Sequence, residues 1–302
     1  TPQRVWNGAG PPGRPDQTTV CQSPATPERA KSGLIDSCVE QLKQTHSHLH
    51  LESVRPGKAS RRKKEVGYLK EVKLTAAILR SALYCSDECK VVAMDARLTL
   101  TLSALWPWLL LDDLTMEAVL ELLCVYTANF HPACSSLCGS SPSGVPGSKG
   151  SSNTSLMHSV MKLSSLAPDN SPVHNLSFSL LTNLAVSRDC RCILQKSNFL
   201  QAFLLTPVPK VAGAKAAPAG GGGGNPLSLW LRLLVSLSST GDGQQSILKV
   251  SGVLELLADL APQRKHALLT LHNLCFCPAN KSHVMANGTE LGMGLDLIFI
   301  NA

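Results

Sequence analysis

One turn recurs along this chain, and it constrains the fold more than any single helix does. In LLTNLAVSRDCRCILQKSNFLQAFL (180–204) a helical pattern stops at a polar turn. A second short pattern follows, and a third begins at Phe199. The same order returns in ILRSALYCSDECKVVAMDARL, LLVSLSSTGDGQQSILKVSGVL and LLTLHNLCFCPANKSHVMANG. A helical unit that repeats cannot bury its apolar face alone, so the expected product is an all-α stack in which neighbouring units complete one core.

Taking the last apolar residue before each turn as an anchor gives Leu83, Leu184, Leu237 and Leu274. The sixth and seventh positions after them hold Cys89–Lys90, Cys190–Arg191, Gly243–Gln244 and Asn280–Lys281. Met94, Leu194, Ile247 and Val284 follow as apolar positions, and a weaker copy anchored at Ala128 puts Cys134 in the sixth slot. The anchors are spaced by 45, 56, 53 and 37 residues. Armadillo and HEAT units run ~40–47 residues, so two intervals are long. Each long interval contains a low-complexity insert, 139–153 (GSSPSGVPGSKGSSN) and 211–225 (VAGAKAAPAGGGGGN), of about the excess length. Such inserts belong in flexible loops outside the stack. The fold class expected is therefore an armadillo/HEAT-like α-solenoid over residues 65–287.

The periodicity nominates core residues: Leu79, Leu83, Met94, Leu98, Leu102 and Leu105 in the first unit, and Leu180, Leu184, Ile193, Leu194, Phe199 and Phe203 in a later one. Asp87, Asp189, Asp242 and the Pro278–Asn280 pair are expected to stop and cap helices at the turns. Residues 1–30, rich in Pro, Gly and Thr, are expected to be disordered because they bury too little to offset ordering entropy. Leu34, Ile35, Cys38, Val39 and Leu42 predict an amphipathic helix over 31–53. Residues 54–64 read as a basic linker and 288–302 as an atypical tail without helical periodicity. The chain opens on Thr1 with no apolar leader core, which reads as a piece of something longer and without a signal peptide.

Charge and chemistry narrow the function. The formal charge is +7, but Arg55, Lys58, Arg61, Arg62, Lys63 and Lys64 supply most of it in one run. The repeats are close to neutral, so a distributed nucleic-acid face is not implied. The run suits a nuclear-import signal, an RNA contact or an acidic partner, set against the blander reading of a solvated linker. The longest apolar run is broken by Pro107 and ended by Asp112, and no membrane span is expected. Eleven cysteines, an odd number sitting mainly inside helical patterns, read as reduced packing residues. Cys85/Cys89, Cys134/Cys138, Cys190/Cys192 and Cys275/Cys277 could form metal half-sites, but two of these pairs are CxC, outside the usual zinc spacing. His46, His48 and His50 alternate in a helical pattern, where such positions diverge, so a solvated helix end is expected. No nucleophile elbow, phosphate loop, HExxH motif or catalytic carboxylate pair is present. Gly220–Gly224 lack a following Lys-Ser/Thr. A non-enzyme without cofactor, metal or small-molecule substrate is expected.

LYCSDECK (83–90), SALWPWLLLDD (103–113), LLCVYTANF (122–130), CSSLC (134–138), SRDCRCILQKSNFLQ (187–201), DGQQSIL (242–248) and HNLCFCPANK (272–281) together resemble the C-terminal armadillo-like region of the rotatin family. The likeness runs from about Leu34 to Asn287, interrupted by the two inserts; 1–30 and the end after Asn287 depart from it. The resemblance implies a non-catalytic interaction scaffold of the centrosome and ciliary basal body, in cytoplasm and cytoskeleton. It also implies a part in centriole assembly, cilium structure and left–right axis specification, with other centriolar and ciliary proteins as partners. A cytosolic or nuclear armadillo-type cargo adaptor is the alternative. Peptide-binding armadillo repeats resemble one another in a Trp five residues and an Asn one residue before the anchor. Asn183 and Asn273 match the Asn position and are the candidate protein contacts, while Ile78, Ser179, Arg232 and Leu269 occupy the Trp position. Arg61, Arg62, Lys63 and Lys64 are the candidate basic patch.

Overall fold

A computed structural model describes residues 27–54, 58–139, 155–205, 225–280 and 284. These residues form α-helices joined by short turns, with no strand among them. The first six helices are α1 (Pro27–Val54), α2 (Lys58–Leu83), α3 (Asp87–Asp95), α4 (Leu98–Leu109), α5 (Asp113–Thr127) and α6 (His131–Leu137). Next come α7 (Leu156–Leu166), α8 (Pro172–Leu184), α9 (Arg188–Lys196) and α10 (Phe199–Leu205). The last four are α11 (Pro226–Ser238), α12 (Gly241–Leu248), α13 (Val253–Leu260) and α14 (Lys265–Phe276), followed by a 3-10 turn at Pro278–Asn280. No helix among the described residues is long and apolar enough to cross a membrane.

The anchors mark the helices that carry the packing. Leu83 closes α2, Leu184 closes α8, and Leu237 and Leu274 lie in the last turns of α11 and α14; Ala128 caps α5. These five helices pack in series: α2 on α5, α5 on α8, α8 on α11, and α11 on α14. The four anchor leucines are fully buried, as are Leu79, Leu98, Leu102, Leu105 and Leu180. Each such leucine contributes roughly 1.5–3 kcal/mol by leaving water. Leu194 and Phe199 are buried too, whereas Met94, Ile193 and Phe203 pack only partly against the same core. One apolar cluster runs from Ile35 in α1 to Leu274 in α14.

Several local expectations need correction. The first helix begins at Pro27, so residues 27–30 are helical; residues 1–26 lie outside the described part, as do 288–302. Pro27 opens α1, where a missing N–H costs nothing. That helix packs against α2, α3 and α4, with Ile35, Val39, Leu42 and Leu49 fully buried. The basic run is not a linker up to residue 64: α2 starts at Lys58, because Lys, Arg and Ala are all good helix formers. The inserts lie outside the described residues except at their edges. Gly139 follows α6 in the left-handed region at φ 79°, and the Asn225 side chain accepts the Leu227 N–H at the start of α11.

The turn aspartates are not the caps. The capping positions are Ser86, Ser187 and Thr240, all with extended backbone, and the aspartates sit inside the first helical turn. There their charge still complements the partial positive end of the helix. Of the three caps, Ser86 accepts an N–H through its hydroxyl, from Cys89 at 3.3 Å.

Candidate functional site

Polar and sulfur side chains at the anchor turns bond from one unit to the next along the series. At the first turn Lys90 is buried, and its ammonium donates to the Ala128 carbonyl of the next unit at 2.7 Å. It also reaches Asp87 at 3.1 Å and lies 5.7 Å from the centre of the Phe130 ring, within reach of a cation–π attraction. A buried ammonium is costly unless it is paired this completely.

The second joint is held by an amide and by sulfur. The Asn183 amide donates from α8 to the Cys124 carbonyl of α5 at 3.0 Å and to the Thr127 hydroxyl at 3.3 Å. Cys134 points back at the Asn183 carbonyl, 3.7 Å away, and the Cys190 thiol lies 3.3 Å from the Cys134 carbonyl. The Cys138 and Cys190 sulfurs are 2.7 Å apart. Burial drives the Cys124 and Cys134 thiols up to about 12, helped by Glu121 and by Cys190 respectively. Both therefore remain protonated.

Arg191 makes the third joint. Its guanidinium donates to the Ala185 and Val186 carbonyls of its own turn at 3.0 and 2.7 Å, and to the Asp242 carboxylate of the next turn at 2.7 Å. The pairing holds the Asp242 carboxyl below its ordinary range, although its partial burial pulls the other way. The fourth joint is neutral. Gln244 donates to the Ser238 carbonyl at 2.9 Å and the Asn273 carbonyl at 3.2 Å, and accepts from the Asn280 amide at 2.8 Å. The Asn273 amide donates to the Ser238 hydroxyl at 2.9 Å. Asn280, fully buried, is completed by the Leu274 carbonyl at 3.2 Å and the Gln245 amide at 2.8 Å.

The two candidate asparagines are thus structural joints, with their amide groups bonded to neighbouring helices. The basic patch does not gather into a site. Lys64 pairs with Glu52 of α1 at 3.2 Å, Arg62 and Lys63 are exposed, and the Arg61 side chain lies outside the description. Two of the four cysteine pairs split apart: Cys85 and Cys192 are exposed while Cys89 and Cys190 are buried. Among the described residues no group of three His, Cys, Asp or Glu could hold a metal ion. The histidine run lies in the last turns of α1, with His48 and His50 exposed, as expected, and His46 half-buried. His46 sits edge-on to Trp108 at 5.2 Å, and burial together with His50 lowers its pKa. His48 faces Tyr68 at 5.4 Å.

Sequence reasoning missed Lys90, Arg191 and Gln244. The signal was there: a large polar residue in the seventh slot after the anchor, inside an apolar pattern, needs a partner. Outward-facing apolar side chains remain on α2 (Leu74, Ile78) and around the turn before α5 (Leu110, Leu111, Leu114).

The fold and its joints define a class: an all-helical protein whose repeated helix–turn–helix units are locked together turn by turn. No family model matches the chain. It is 45% identical over 270 residues to human rotatin and 44% identical over 269 residues to mouse rotatin, in each case across 85% of this chain. It spans 12% of the length of either relative. The likeness carried by the sequence motifs is therefore a likeness to a segment of rotatin.

Proposed function

We propose that this chain is a non-catalytic protein–protein interaction scaffold of the centrosome and ciliary basal body, built as an armadillo-like α-solenoid. The observation that carries the solenoid reading is the serial packing of α2, α5, α8, α11 and α14 through recurrent turn-edge joints. A protein whose polar side chains are engaged in holding neighbours together leaves its outward helical faces, not a catalytic pocket, as its working surface. The centrosomal and ciliary setting rests on the likeness to rotatin. Centriole assembly, cilium organisation and left–right axis specification are the processes it would serve, with other centriolar and ciliary proteins as partners. The cargo-adaptor alternative would use Asn183 and Asn273 to hold an extended peptide, and their bonded amides count against it.

The test is localisation followed by proximity labelling. The tagged chain should concentrate at centrosomes and basal bodies, and a full-length protein lacking this region should lose a subset of labelled centriolar neighbours. A diffuse or nuclear distribution, with an unchanged labelled set, would overturn the proposal.

A further inference from the structure

Sulfur makes the second joint unlike the others. Cys138 follows α6 and is half-buried, whereas Cys190 is fully buried in α9; the chain between them includes all of α7 and α8. Spacing within a motif could not have paired them. Their sulfurs nevertheless lie 2.7 Å apart, and a disulfide bond of ~2.05 Å is within reach of a small side-chain adjustment. Cys138 also touches the Met157 thioether of α7 at 3.7 Å.

We infer that Cys138 and Cys190 form a reversible disulfide, a modification site that a hydroperoxide closes and thiol reductants reopen, stapling α6 to α9 across the second joint. The pair is chemically asymmetric. The hydrogen bond shared by the two sulfurs lowers the pKa of Cys190, with help from the Ser187 hydroxyl and Arg191 against burial and Asp189. The same bond, together with burial, raises Cys138. Cys190 is therefore the better nucleophile, and Cys138 the sulfur nearer to solvent. Hydrogen peroxide oxidises the Cys190 thiolate to a sulfenic acid, and its other oxygen leaves as hydroxide, which is protonated to water. The Cys138 sulfur then attacks the Cys190 sulfur and gives up its proton. The S–O bond breaks, and hydroxide leaves and takes up the thiol proton as water. Two thiols and one peroxide give one disulfide and two waters. Such a bond restrains the unfolded chain between 138 and 190 and raises stability at this joint.

The experiment treats the reduced, purified chain with one equivalent of hydrogen peroxide, alkylates it, digests it without reductant and maps the peptides by mass spectrometry. The expected main product is a peptide pair linked through Cys138 and Cys190, reversed by dithiothreitol. An upward shift of the thermal transition should accompany the link. Cys138→Ser, with unchanged helical circular dichroism, should lose both the link and the shift. Should that variant misfold, wild-type thiol counting decides the matter: Cys138 and Cys190 must become unreactive together after unfolding in alkylating reagent. Oxidation confined to the exposed Cys85 and Cys192, or a link from Cys138 to Cys134 instead, would overturn the inference.

Discussion

At the turn after Leu184 the seventh position holds Arg191, and at the turn after Leu237 it holds Gln244. Both side chains bond the carbonyls of their own turn and reach into the next unit. Arg191 reaches a carboxylate, and Gln244 reaches a carbonyl and a buried amide. One joint is an ion pair and the other is a neutral network, at equivalent places in the stack. The helix ends supply unsatisfied carbonyls at every turn, and any side chain with enough donors can collect them. What differs is the response to perturbation. A charged joint loses both its bonds and the compensation of a buried charge, while a neutral one loses hydrogen bonds alone.

The largest effect should come from Arg191→Met. It leaves the Ala185 and Val186 carbonyls without their donor and strips Asp242 of its cation. Asp242 is 44% exposed and can return to water, so the cost should fall at about 2–4 kcal/mol rather than the upper end for buried pairs. Urea unfolding followed by circular dichroism measures it. A loss under about 1 kcal/mol would show that the joint is incidental, and with it the distinction between the two turns.

Gly243→Ala probes the neutral joint from the backbone side. A Cβ there would lie 2.0 Å from the Leu237 carbonyl oxygen and 2.9 Å from the Thr240 hydroxyl. Backbone cannot move aside as a side chain can, so a loss of about 2–3 kcal/mol is expected. The sixth slot holds cysteine at three other turns (Cys89, Cys134, Cys190), asparagine at the last (Asn280) and glycine here; Cys190→Ala should cost less, because it removes a sulfur rather than adding a clash. Equal losses at the two positions would mean that the close approach at α12 relaxes readily.

Gln244→Leu comes third. It keeps the volume and deletes the amide, leaving the Asn280 amide and the Ser238 and Asn273 carbonyls short of a partner. About 1–2 kcal/mol is expected, smaller than at Arg191 because no charge is stranded. A loss as large as that of Arg191→Met would erase the contrast between charged and neutral joints.

The stack itself was legible because a fully buried leucine in the last turn of a helix leaves a fixed signature: an apolar position, a polar break, then apolar positions again. Leu83, Leu184, Leu237 and Leu274 could be read that way. The joints were not, since their partners come from different units. Asn183 meets Cys124 and Thr127, and Cys138 meets Cys190, only because α5, α8 and α9 are brought together by packing. Spacing along the chain carries no record of such contacts. The caps were misplaced for a smaller reason: Ser86, Ser187 and Thr240 precede the aspartates, and acidic residues favour the first turn as well as the cap. The helicity of the basic run was hidden by Pro56–Gly57, which reads as a long break although α2 starts at Lys58.

Acid separates the two joints most cleanly, though by the smallest margin. Asp242 has a folded pKa lowered from 3.8, mainly by the Arg191 hydrogen bond. Its contribution is complete above 3.8 and disappears as pH falls through the folded value, since the unfolded state then binds the proton more tightly. His174 behaves independently. It is buried beside Phe178 at 5.0 Å, and burial lowers its pKa from 6.5 despite Asp169 at 3.9 Å. The unfolded chain takes up that proton first, so stability should begin to fall below pH 6.5 in every variant that keeps His174. Wild type should therefore lose urea resistance in two stages, one below pH 6.5 and another below pH 3.8. Arg191→Met should flatten the second stage and leave the first, while Gln244→Leu should retain both. A lower stage that survives Arg191→Met would place the acid sensitivity in carboxylates outside the joint and remove the electrostatic half of the contrast.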